Sequence, residues 1–346
     1  DNMYNLTIIP GDGIGVEVTE AGEYLLDKLD LNFSLTHARA GYDCYNDTGK
    51  TLPEETIKKA KKSDAILFGA STSTPGQPSP IIRLRKELNT YGNIRPIKSY
   101  KGVKSLYDNI DIIIVRENTE GLYSQNEYMR GDEIIAERVI TRKASEKISE
   151  MAFETCKLFK KNKVTGVHKN NVLKLTDGVF KESFYKIGEK YPNIEKNDYY
   201  VDAAAMYMIT QPQEYEVIVA TNLFGDILSD EGAGLVGGLG LAPSGNIGAE
   251  HGLFEPVHGS APDIAGKNIA NPCAMILSIS LMLNYLKEYE IAENVDKAVQ
   301  KVLEKGKVKT PDLGGNASTM EMTKEIIKEL WKCLILQPFL MQIPID

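Results

Sequence analysis

The stretch Glu216-Val-Ile-Val-Ala-Thr-Asn-Leu-Phe-Gly-Asp-Ile-Leu-Ser-Asp230 decides the fold, because it joins a strand directly to a helix. The apolar, β-branched run 217–219 predicts a strand that is buried on both faces, and the residues after Asn222 have helical spacing. A buried strand that leads straight into a helix is the repeating unit of a layered α/β protein.

Two acidic residues follow that strand. Asp226 and Asp230 are four positions apart, so on a helix they share one face, with β-carbons about 6 Å apart. Two interpretations stay open at this point. Either the pair holds Mg²⁺ or Mn²⁺, which prefer oxygen ligands, or both residues belong to a helix N-terminus and interact favourably with its dipole.

Length and composition narrow the class of protein. A chain of 346 residues is long enough for two domains with a large core. The formal charge of −8 argues against a general binder of nucleic acid or of anionic membranes. Four scattered cysteines without a CxxC pair argue against a disulfide framework or a zinc site. No long apolar run and no leader pattern is present, which predicts a cytoplasmic protein.

A glycine loop near the N-terminus invites comparison with a dinucleotide-binding fold. The strand 6–9 runs into Gly11-Asp-Gly-Ile-Gly15, and helical spacing starts at Val16. The G-x-G-x-x-G fingerprint is not met, because the third glycine comes one position early. No acidic residue follows about twenty positions later at the end of a second strand. We therefore reject a Rossmann nucleotide site.

Polar residues recur where apolar strands end. Strands predicted at 64–69, 112–115, 164–167 and 199–201 are followed by a flexible loop, by Arg116, by Lys169 and by Asp202, respectively. Ligands bind at that edge of an α/β sheet.

Two segments stand outside this alternation. Residues 124–143 are short and polar in pattern, with a turn at 130–132 and a β-prone run at 139–141, which predicts an arm that pairs with a second subunit. The apolar tail 334–345 is interrupted by prolines and is too short to span a bilayer. It either packs on the body or on a partner, or is foreign to the native sequence.

Several of these motifs together resemble the β-decarboxylating dehydrogenases, the family of isocitrate, isopropylmalate, homoisocitrate and tartrate dehydrogenases. The resemblance runs in order through residues 3–330. The motifs that carry it are Gly11-Asp-Gly-Ile-Gly15, Asn93-Ile-Arg-Pro96, Arg116-Glu-Asn-Thr-Glu-Gly-Leu-Tyr123, Lys169-Asn-Asn-Val-Leu173, Asp226 to Asp230, and His258-Gly-Ser-Ala-Pro-Asp263.

The resemblance implies an α/β, isopropylmalate-dehydrogenase-like fold of two domains with a central sheet, distinct from the Rossmann fold. Residues 1–98 and 237–346 would form the cofactor-side domain, and 99–236 the dimerisation and metal-site domain, with its arm at 124–142. It further implies a homodimer, or a tetramer built from it, in which active sites are shared: Lys169 and Asp202 of one subunit would enter the cleft of the other.

The resemblance also assigns chemical roles. Arg85, Arg95 and Arg116 would hold substrate carboxylates through charge-assisted hydrogen bonds. Asp226 and Asp230, with Asp202 of the other subunit, would bind Mg²⁺ or Mn²⁺. Lys169 with Asp202 would remove the hydroxyl proton, and Tyr123 would protonate the enol after decarboxylation. The alternative for Tyr123 is a packed aromatic side chain.

The cofactor implied by the resemblance is NAD. An acidic residue at the position of Asp263 would accept hydrogen bonds from the ribose 2′-hydroxyl and repel a 2′-phosphate. His258 is either a structural histidine or a residue that stacks on the base beside backbone N–H groups that hold phosphate. The remaining residues expected to line the cofactor site are Ile14, Asn171, Glu255, Gly259, Ser260, Ala261, Ile264 and Asn271.

Substrate choice rests on the residues just before Arg85. Ser79 offers a polar contact and Ile82 an apolar one, and Ser-Pro-Ile-Ile-x-Leu-Arg most resembles the homoisocitrate group. We therefore expect a small tricarboxylate, homoisocitrate or a longer homologue as in the coenzyme B route, with 3-isopropylmalate as the alternative and isocitrate third. A regulatory subunit is disfavoured, because the tyrosine, lysine and aspartates that such subunits lose are all present.

Overall fold

The structure, a computed structural model, describes residues 3–340, with side chains up to residue 335. Within this range one large mixed sheet has the strand order β2-β1-β3-β12-β11-β4-β5-β10-β8-β9, and β6 and β7 form a separate hairpin. The strands are β1 (Met3–Gly11), β2 (Asn32–His37), β3 (Ala65–Ala70), β4 (Gly92–Lys98), β5 (Asp111–Glu117), β6 (Glu127–Arg130), β7 (Glu133–Ala136), β8 (Lys163–His168), β9 (Glu195–Tyr200), β10 (Val217–Ala220), β11 (Pro243–Ile247) and β12 (Gly252–Pro256).

Helices cover both faces of the sheet. They are α1 (Ile14–Lys28), α2 (Tyr42–Thr48), α3 (Glu54–Lys62), α4 (Pro80–Glu87), α5 (Arg142–Leu158), α6 (Thr176–Gly188), α7 (Val201–Thr210), α8 (Asn222–Leu235), α9 (Cys273–Tyr285), α10 (Tyr289–Lys305) and α11 (Thr319–Leu340). Most neighbouring strands are parallel, but β4 and β11 run antiparallel to their neighbours. The α/β prediction is confirmed, and the antiparallel centre is unlike a Rossmann sheet.

Apolar side chains form separate clusters along the sheet. On one half, α1, α9, α10 and α11 pack on one face of β1, β3 and β12, and α3 and α4 pack on the other. On the other half, α5 and α6 cover one face of β5, β8 and β10, and α7 and α8 cover the opposite face. The strands β4 and β5 lie where the two halves meet, and they carry residues that converge on the site described below.

The opening stretch folds as its pattern predicts. All four residues of β10 are fully buried, and α8 begins at Asn222, directly after Thr221. Asp226 is the fifth residue of this helix, so neither it nor Asp230 belongs to the first turn. The interpretation of the pair as an acidic N-terminus is therefore wrong, because the helix begins earlier than that interpretation requires.

Two further expectations about elements need correction. The run 139–141 is not a strand: Val139 makes an isolated bridge to Gly121, and the side chain of Thr141 caps α5 by accepting a hydrogen bond from the Ala144 N–H. The arm itself is a short hairpin over 127–136, turning at residues 131 and 132. Tyr200 ends β9 and Val201 already starts α7, so the strand predicted at 199–201 lies earlier.

Among the described residues, no helix is both long enough and apolar enough to cross a membrane. The apolar tail begins inside α11, which runs to Leu340. The last part of that tail, residues 341–345, lies outside the described residues.

Candidate active site

Three arginines predicted from separate motifs converge beside the carboxyl end of β5. Arg85 comes from α4, Arg95 from β4 and Arg116 from β5. Their side chains are largely buried, with 16, 12 and 4% of their surface exposed, respectively. Arg116 fits tightly against α8, because a β-carbon at Gly225 would lie 2.7 Å from its Cγ. The glycine that precedes Asp226 therefore makes room for this arginine.

The three arginines lie close enough to repel one another. Burial, opposed by Asp226 and reinforced by Arg85 and Arg95, lowers the pKa of Arg116 to about 10. Burial and the neighbouring Arg85 likewise lower the pKa of Arg95. Nε of Arg85 and Nε of Arg95 are buried and have no hydrogen-bond partner among the described residues. Because such donors are costly when unpaired, the cluster has the chemistry of a carboxylate-binding site.

Asp226 and Asp230 face these arginines from α8. Asp226 Oδ1 lies 3.1 Å from Nη1 of Arg116, and Nη1 of Arg95 lies 3.7 Å from Asp226 and 3.8 Å from Asp230. Tyr123 donates a hydrogen bond of 2.5 Å to Asp226 Oδ2. Its ring lies under the guanidinium of Arg116, at 5.1 Å from the ring centre. The two aspartates, the arginines and Tyr123 thus form one polar group.

Tyr123 retains its proton in this setting. Burial and the hydrogen bond to Asp226 raise the pKa of its phenol above the ordinary value, although 36% of the residue is exposed. A tyrosine that is partly exposed, and hydrogen-bonded to a carboxylate at the edge of a cluster of charges, is unlike a packed core aromatic. The structure therefore favours a chemical role for it over simple packing.

Lys169 and Asp202 form a second group. Nζ of Lys169 lies 2.8 Å from Oδ1 of Asp202, and this hydrogen bond lowers the pKa of the Asp202 carboxyl. Asp202 has no ion pair with the arginines, and within the described part of the chain no three metal-ligating side chains meet at one point. Asp226 and Asp230 therefore supply two carboxylates of one chain, and a third would have to come from elsewhere.

The loop that carries Lys169 is held by residues that the sequence analysis did not assign. The Lys169 N–H donates to Oδ2 of Asp177 at 2.7 Å, and Arg138 binds the other oxygen of Asp177 at 2.5 Å. Asp177 is completely buried. An acidic residue in the first turn of a helix is common and by itself indicates only where the helix starts. The one sequence signal for this contact was that Asp177 follows Lys169 by eight residues.

A buried histidine supports the same loop from behind. Nδ1 of His168 accepts a hydrogen bond from the Asn170 N–H at 3.1 Å, so its proton resides on Nε2, which donates to Asp198 at 2.7 Å. Tyr185 donates to the other oxygen of Asp198. Burial would raise the pKa of Asp198, but the hydrogen bonds from Tyr185 and His168 outweigh it and lower that pKa.

The N-terminal glycine loop is packed rather than open. Asp12 accepts hydrogen bonds from the N–H groups of Tyr42, Asp43 and Thr72. Gly13 has a φ of +56°, and a β-carbon there would lie 2.1 Å from the Ser260 carbonyl oxygen. The Ile14 N–H donates to that same oxygen at 2.7 Å. The predicted cofactor residues Ile14 and Ser260 are therefore in direct contact.

The segment 258–271 continues from this contact. Nδ1 of His258 donates to the Gly259 carbonyl at 2.9 Å, which leaves Nε2 unprotonated, buried and without a partner among the described residues. Burial lowers the pKa of His258. Asn271 donates to Asp312 at 3.0 Å. Gly259, Ala261 and Asp263 are exposed, and Ile264 packs partly on the core.

Two predicted cofactor residues lie away from that segment. Glu255 is adjacent to the arginines, with Oε1 3.5 Å from Nη2 of Arg85, and burial raises the pKa of its carboxyl. Asn171 is exposed on the Lys169 loop. The structure thus brings Ile14 together with Ser260, and Glu255 together with Arg85.

The residues expected to determine substrate specificity lie at the start of α4 and along one face of it. Ser79, Ile82 and Arg85 are spaced three apart, so they follow one another along the helix surface. Ile82 is 45% exposed, whereas Ile81 packs into the core. Arg83 points elsewhere, with Nη2 2.7 Å from Glu54. The exposed side chain next to Arg85 is therefore apolar.

Comparison with known proteins identifies the family. The family model described as isocitrate/isopropylmalate dehydrogenase matches residues 5–329. A 3-isopropylmalate dehydrogenase of Methanothermobacter thermautotrophicus is 55% identical, over 94% of this chain and 98% of that protein. A 3-isopropylmalate/3-methylmalate dehydrogenase of Methanocaldococcus jannaschii is 57% identical, over 95% of this chain and 99% of that protein.

A homoisocitrate dehydrogenase of Methanocaldococcus jannaschii is 49% identical, over 96% of this chain and 99% of that protein. Among solved structures, an isocitrate dehydrogenase from Methylococcus capsulatus superposes with a TM-score of 0.88 at 41% identity, covering 95 and 99% of the two chains. The predicted family and fold are confirmed, and the chain belongs to the isocitrate/isopropylmalate dehydrogenase family of decarboxylating oxidoreductases.

Proposed function

We propose that this chain catalyses the NAD-dependent oxidative decarboxylation of a 3-alkylmalate, with 3-isopropylmalate as the substrate. The observation that carries the substrate assignment is the exposed Ile82, which stands one helical turn from the carboxylate-binding Arg85. An alkyl group at C3 of the substrate gains by burial against it. The cation that a longer carboxylate would need, Arg83, is engaged by Glu54.

The relatives support the same choice. Proteins named for 3-isopropylmalate are 55 and 57% identical to this chain, compared with 49% for the homoisocitrate dehydrogenase. Homoisocitrate, which comes first on sequence grounds, therefore becomes the second candidate. It is kept because Ser79, on the same helix face, makes no capping hydrogen bond within the described residues and offers its hydroxyl to a polar substituent.

The arginines bind and orient the substrate. Arg95 and Arg116 supply the charge that two carboxylates neutralise, and the unpaired Nε atoms of Arg85 and Arg95 gain partners when those carboxylates arrive. Binding thereby removes a cost that the free protein carries. Glu255 remains beside Arg85 and fixes its position.

Proton transfers are assigned to Lys169 and Tyr123. Asp226 and Asp230 would hold Mg²⁺ or Mn²⁺, which would polarise the C2 oxygen, and NAD would supply the acceptor for the hydride from C2. The proton of the C2 hydroxyl passes to Lys169 as Lys169 gives one of its own protons to the hydrogen-bonded carboxylate of Asp202. The bond between C3 and its carboxylate then breaks, CO₂ leaves, and Tyr123, whose raised pKa keeps it protonated, donates a proton to C3 to give the ketone product.

The cofactor assignment rests on segment 258–271 and the loop it contacts. The unprotonated Nε2 of His258 and the exposed Asp263 suit a neutral base and a ribose 2′-hydroxyl, respectively. Asp263 would repel the 2′-phosphate of NADP. A preference for NADP in kcat/KM would contradict this assignment.

The complete site requires a second copy of the chain. Asp202 forms its ion pair with Lys169, away from Asp226 and Asp230, so a homodimer in which the partner supplies both residues completes the metal site. In the same proposal, residues 1–98 and 237–346 form one domain and 99–236 the other, and the hairpin 127–136 is the pairing arm. Mixing inactive Lys169→Met chains with inactive Asp226→Asn chains should restore part of the activity, and no restoration would contradict shared sites.

The substrate is tested by NADH formation with Mg²⁺ and a panel of 3-isopropylmalate, 3-methylmalate, isocitrate and homoisocitrate. We expect the highest kcat/KM with 3-isopropylmalate, and a loss of about 10- to 200-fold for it in Ile82→Ser. Leu106→Ser, at an exposed site distant in sequence, is the control. If homoisocitrate is preferred and Ser79→Ala abolishes that preference, the second candidate replaces the first.

A further inference from the structure

A second cavity lies at the junction of the two halves of the sheet, and none of the three arginines is among the described residues that line it. Its volume is 230 Å³, and it is bounded by β4, the start of β5, the segment after α5, and helices α9 and α10. Lys98 at the end of β4 pairs in register with Asp111 at the start of β5. Asn93 and Arg116 pair five positions further along the same strands, which places Lys98 about 17 Å from Arg116. Arg95 is nearer, because it directly precedes Pro96, which lines the cavity. We call it the back-junction cavity.

Part of the cavity lining carries one positive and one negative side chain that form no ion pair with each other. Lys98 and Asp296 both line it, yet neither takes part in an ion pair within the described residues. Lys161 is engaged, since its ammonium lies 3.3 Å from Asp111 Oδ1 and donates to the Asp111 carbonyl at 2.9 Å. With that pair satisfied, one ammonium and one carboxylate remain to bind a ligand.

Asp296 is the more informative of the two. Burial raises the pKa of its carboxyl to about 6, against the opposing effects of Ser280 and Lys98. A carboxylate buried without a close cation is costly, and an ammonium group from a ligand would remove that cost. Gln300, one turn later on α10, lines the cavity beside it.

Apolar side chains also line the cavity. Leu277 and Leu281 lie one turn apart on α9, and Phe159 follows the end of α5. At about 30 Å³ per water-sized group, 230 Å³ accommodates about eight non-hydrogen atoms. A ligand that matches both the charged and the apolar lining residues therefore has one positive charge, one negative charge and a short aliphatic side chain.

We propose that the back-junction cavity binds a small aliphatic α-amino acid, whose carboxylate pairs with Lys98, whose ammonium pairs with Asp296, and whose side chain packs on Leu277, Leu281 and Phe159. Such a ligand contacts α9 and α10 on one side and the end of α5 on the other. It bridges the two halves of the sheet without entering the arginine cluster.

The test is calorimetric titration of the full-length protein with L-valine and L-leucine. Two analogues of leucine isolate the charges: 4-methylpentanoate lacks the ammonium, and 3-methylbutylamine lacks the carboxylate. We expect saturable binding of the amino acids and at least about tenfold weaker binding of each analogue. Because binding is measured directly, the result does not depend on the proposed activity.

Variants locate the site. Lys98→Met and Asp296→Asn should each weaken binding at least about tenfold, while Lys101→Met and Glu290→Gln, at exposed positions near them in sequence, should leave it unchanged. Circular dichroism confirms that each variant is folded. The proposal is overturned if the folded wild-type protein binds none of the amino acids. It is equally overturned if an analogue binds as tightly as leucine, or if Lys98→Met and Asp296→Asn bind like the wild type.

Discussion

The phenol of Tyr123 donates a hydrogen bond of 2.5 Å to Asp226, a residue 103 positions away in the chain. This contact ties the tyrosine of the β5 motif to the acidic pair of α8, and the guanidinium of Arg116 lies over the same ring. The group proposed to give the last proton is thus held at the carboxylate proposed to bind the metal.

Replacing Tyr123 by phenylalanine removes only the hydroxyl. We expect kcat to fall by about a hundredfold or more, with little change in KM, because the proton donor is lost while the carboxylate-binding arginines remain. Steady-state NADH formation measures both constants. Tyr289→Phe, at an exposed position on α10, is the matched control. Wild-type kcat in Tyr123→Phe would remove this residue from the mechanism.

Asp198 holds the buried His168 behind Lys169. The change Asp198→Leu leaves the Nε2–H of His168 without its partner, so the free energy of unfolding should fall by about 1–3 kcal/mol. kcat should also fall, because the loop that carries Lys169 loses a support. Urea unfolding and steady-state kinetics measure the two effects, with the exposed Asp108→Leu as control. Equal stability of the two variants would show that the contact is dispensable.

Gly13 tests the contact between the glycine loop and Ser260. Gly13→Ala places a β-carbon 2.1 Å from the Ser260 carbonyl, whereas Gly131 has a similar positive φ with nothing within 4 Å. Both changes carry backbone strain, but only Gly13→Ala adds overpacking of about 1–3 kcal/mol. We expect urea unfolding to show that difference, and the KM for NAD to rise in Gly13→Ala alone. Matching stabilities would contradict the close approach.

Asp296 predicts a pH dependence of stability. Burial keeps its pKa at about 6 in the folded protein, compared with 3.8 as the ordinary value. Between these values the folded state binds more protons than the unfolded state, so this group lowers stability as pH rises through 6. Asp296→Asn removes that loss, and its gain should grow from pH 4.5 to pH 7, up to about 3 kcal/mol.

Thermal unfolding of the wild type and Asp296→Asn at the two pH values measures this gain. Glu290→Gln, an exposed change on the same helix, should show no such trend. A difference between Asp296→Asn and the wild type that is independent of pH would show that the carboxyl titrates alike in both states.

Local pattern was sufficient where burial and periodicity coincide. The run 217–219 and the spacing of Asp226 and Asp230 predict β10 and one face of α8, and both are present. The strands β4 and β11 gave no such signal, because each contains a proline and the two pair with each other across about 150 positions of the chain. Their positions depend on the assembled sheet.

The candidate site also contains residues that the sequence predicted and residues that only the folded structure reveals. Motif resemblance placed Arg85, Arg95, Arg116 and Tyr123 in one group, and the structure brings them together. The supports of the Lys169 loop, Asp177 and Asp198, were not assigned, since a single acidic residue has no periodicity and its partner is set by tertiary packing. Arg83 and Ile82 are neighbours in sequence, and only the folded helix shows that Arg83 pairs with Glu54 while Ile82 is exposed one turn from Arg85.

The most direct measurement of the central claim is the ratio of CO₂ released to NADH formed when the purified protein is incubated with 3-isopropylmalate, NAD and Mg²⁺. The account predicts one CO₂ for each NADH, with both products lost when Mg²⁺ is chelated. NADH formation without CO₂, or the absence of both products while homoisocitrate or isocitrate is turned over, would contradict it.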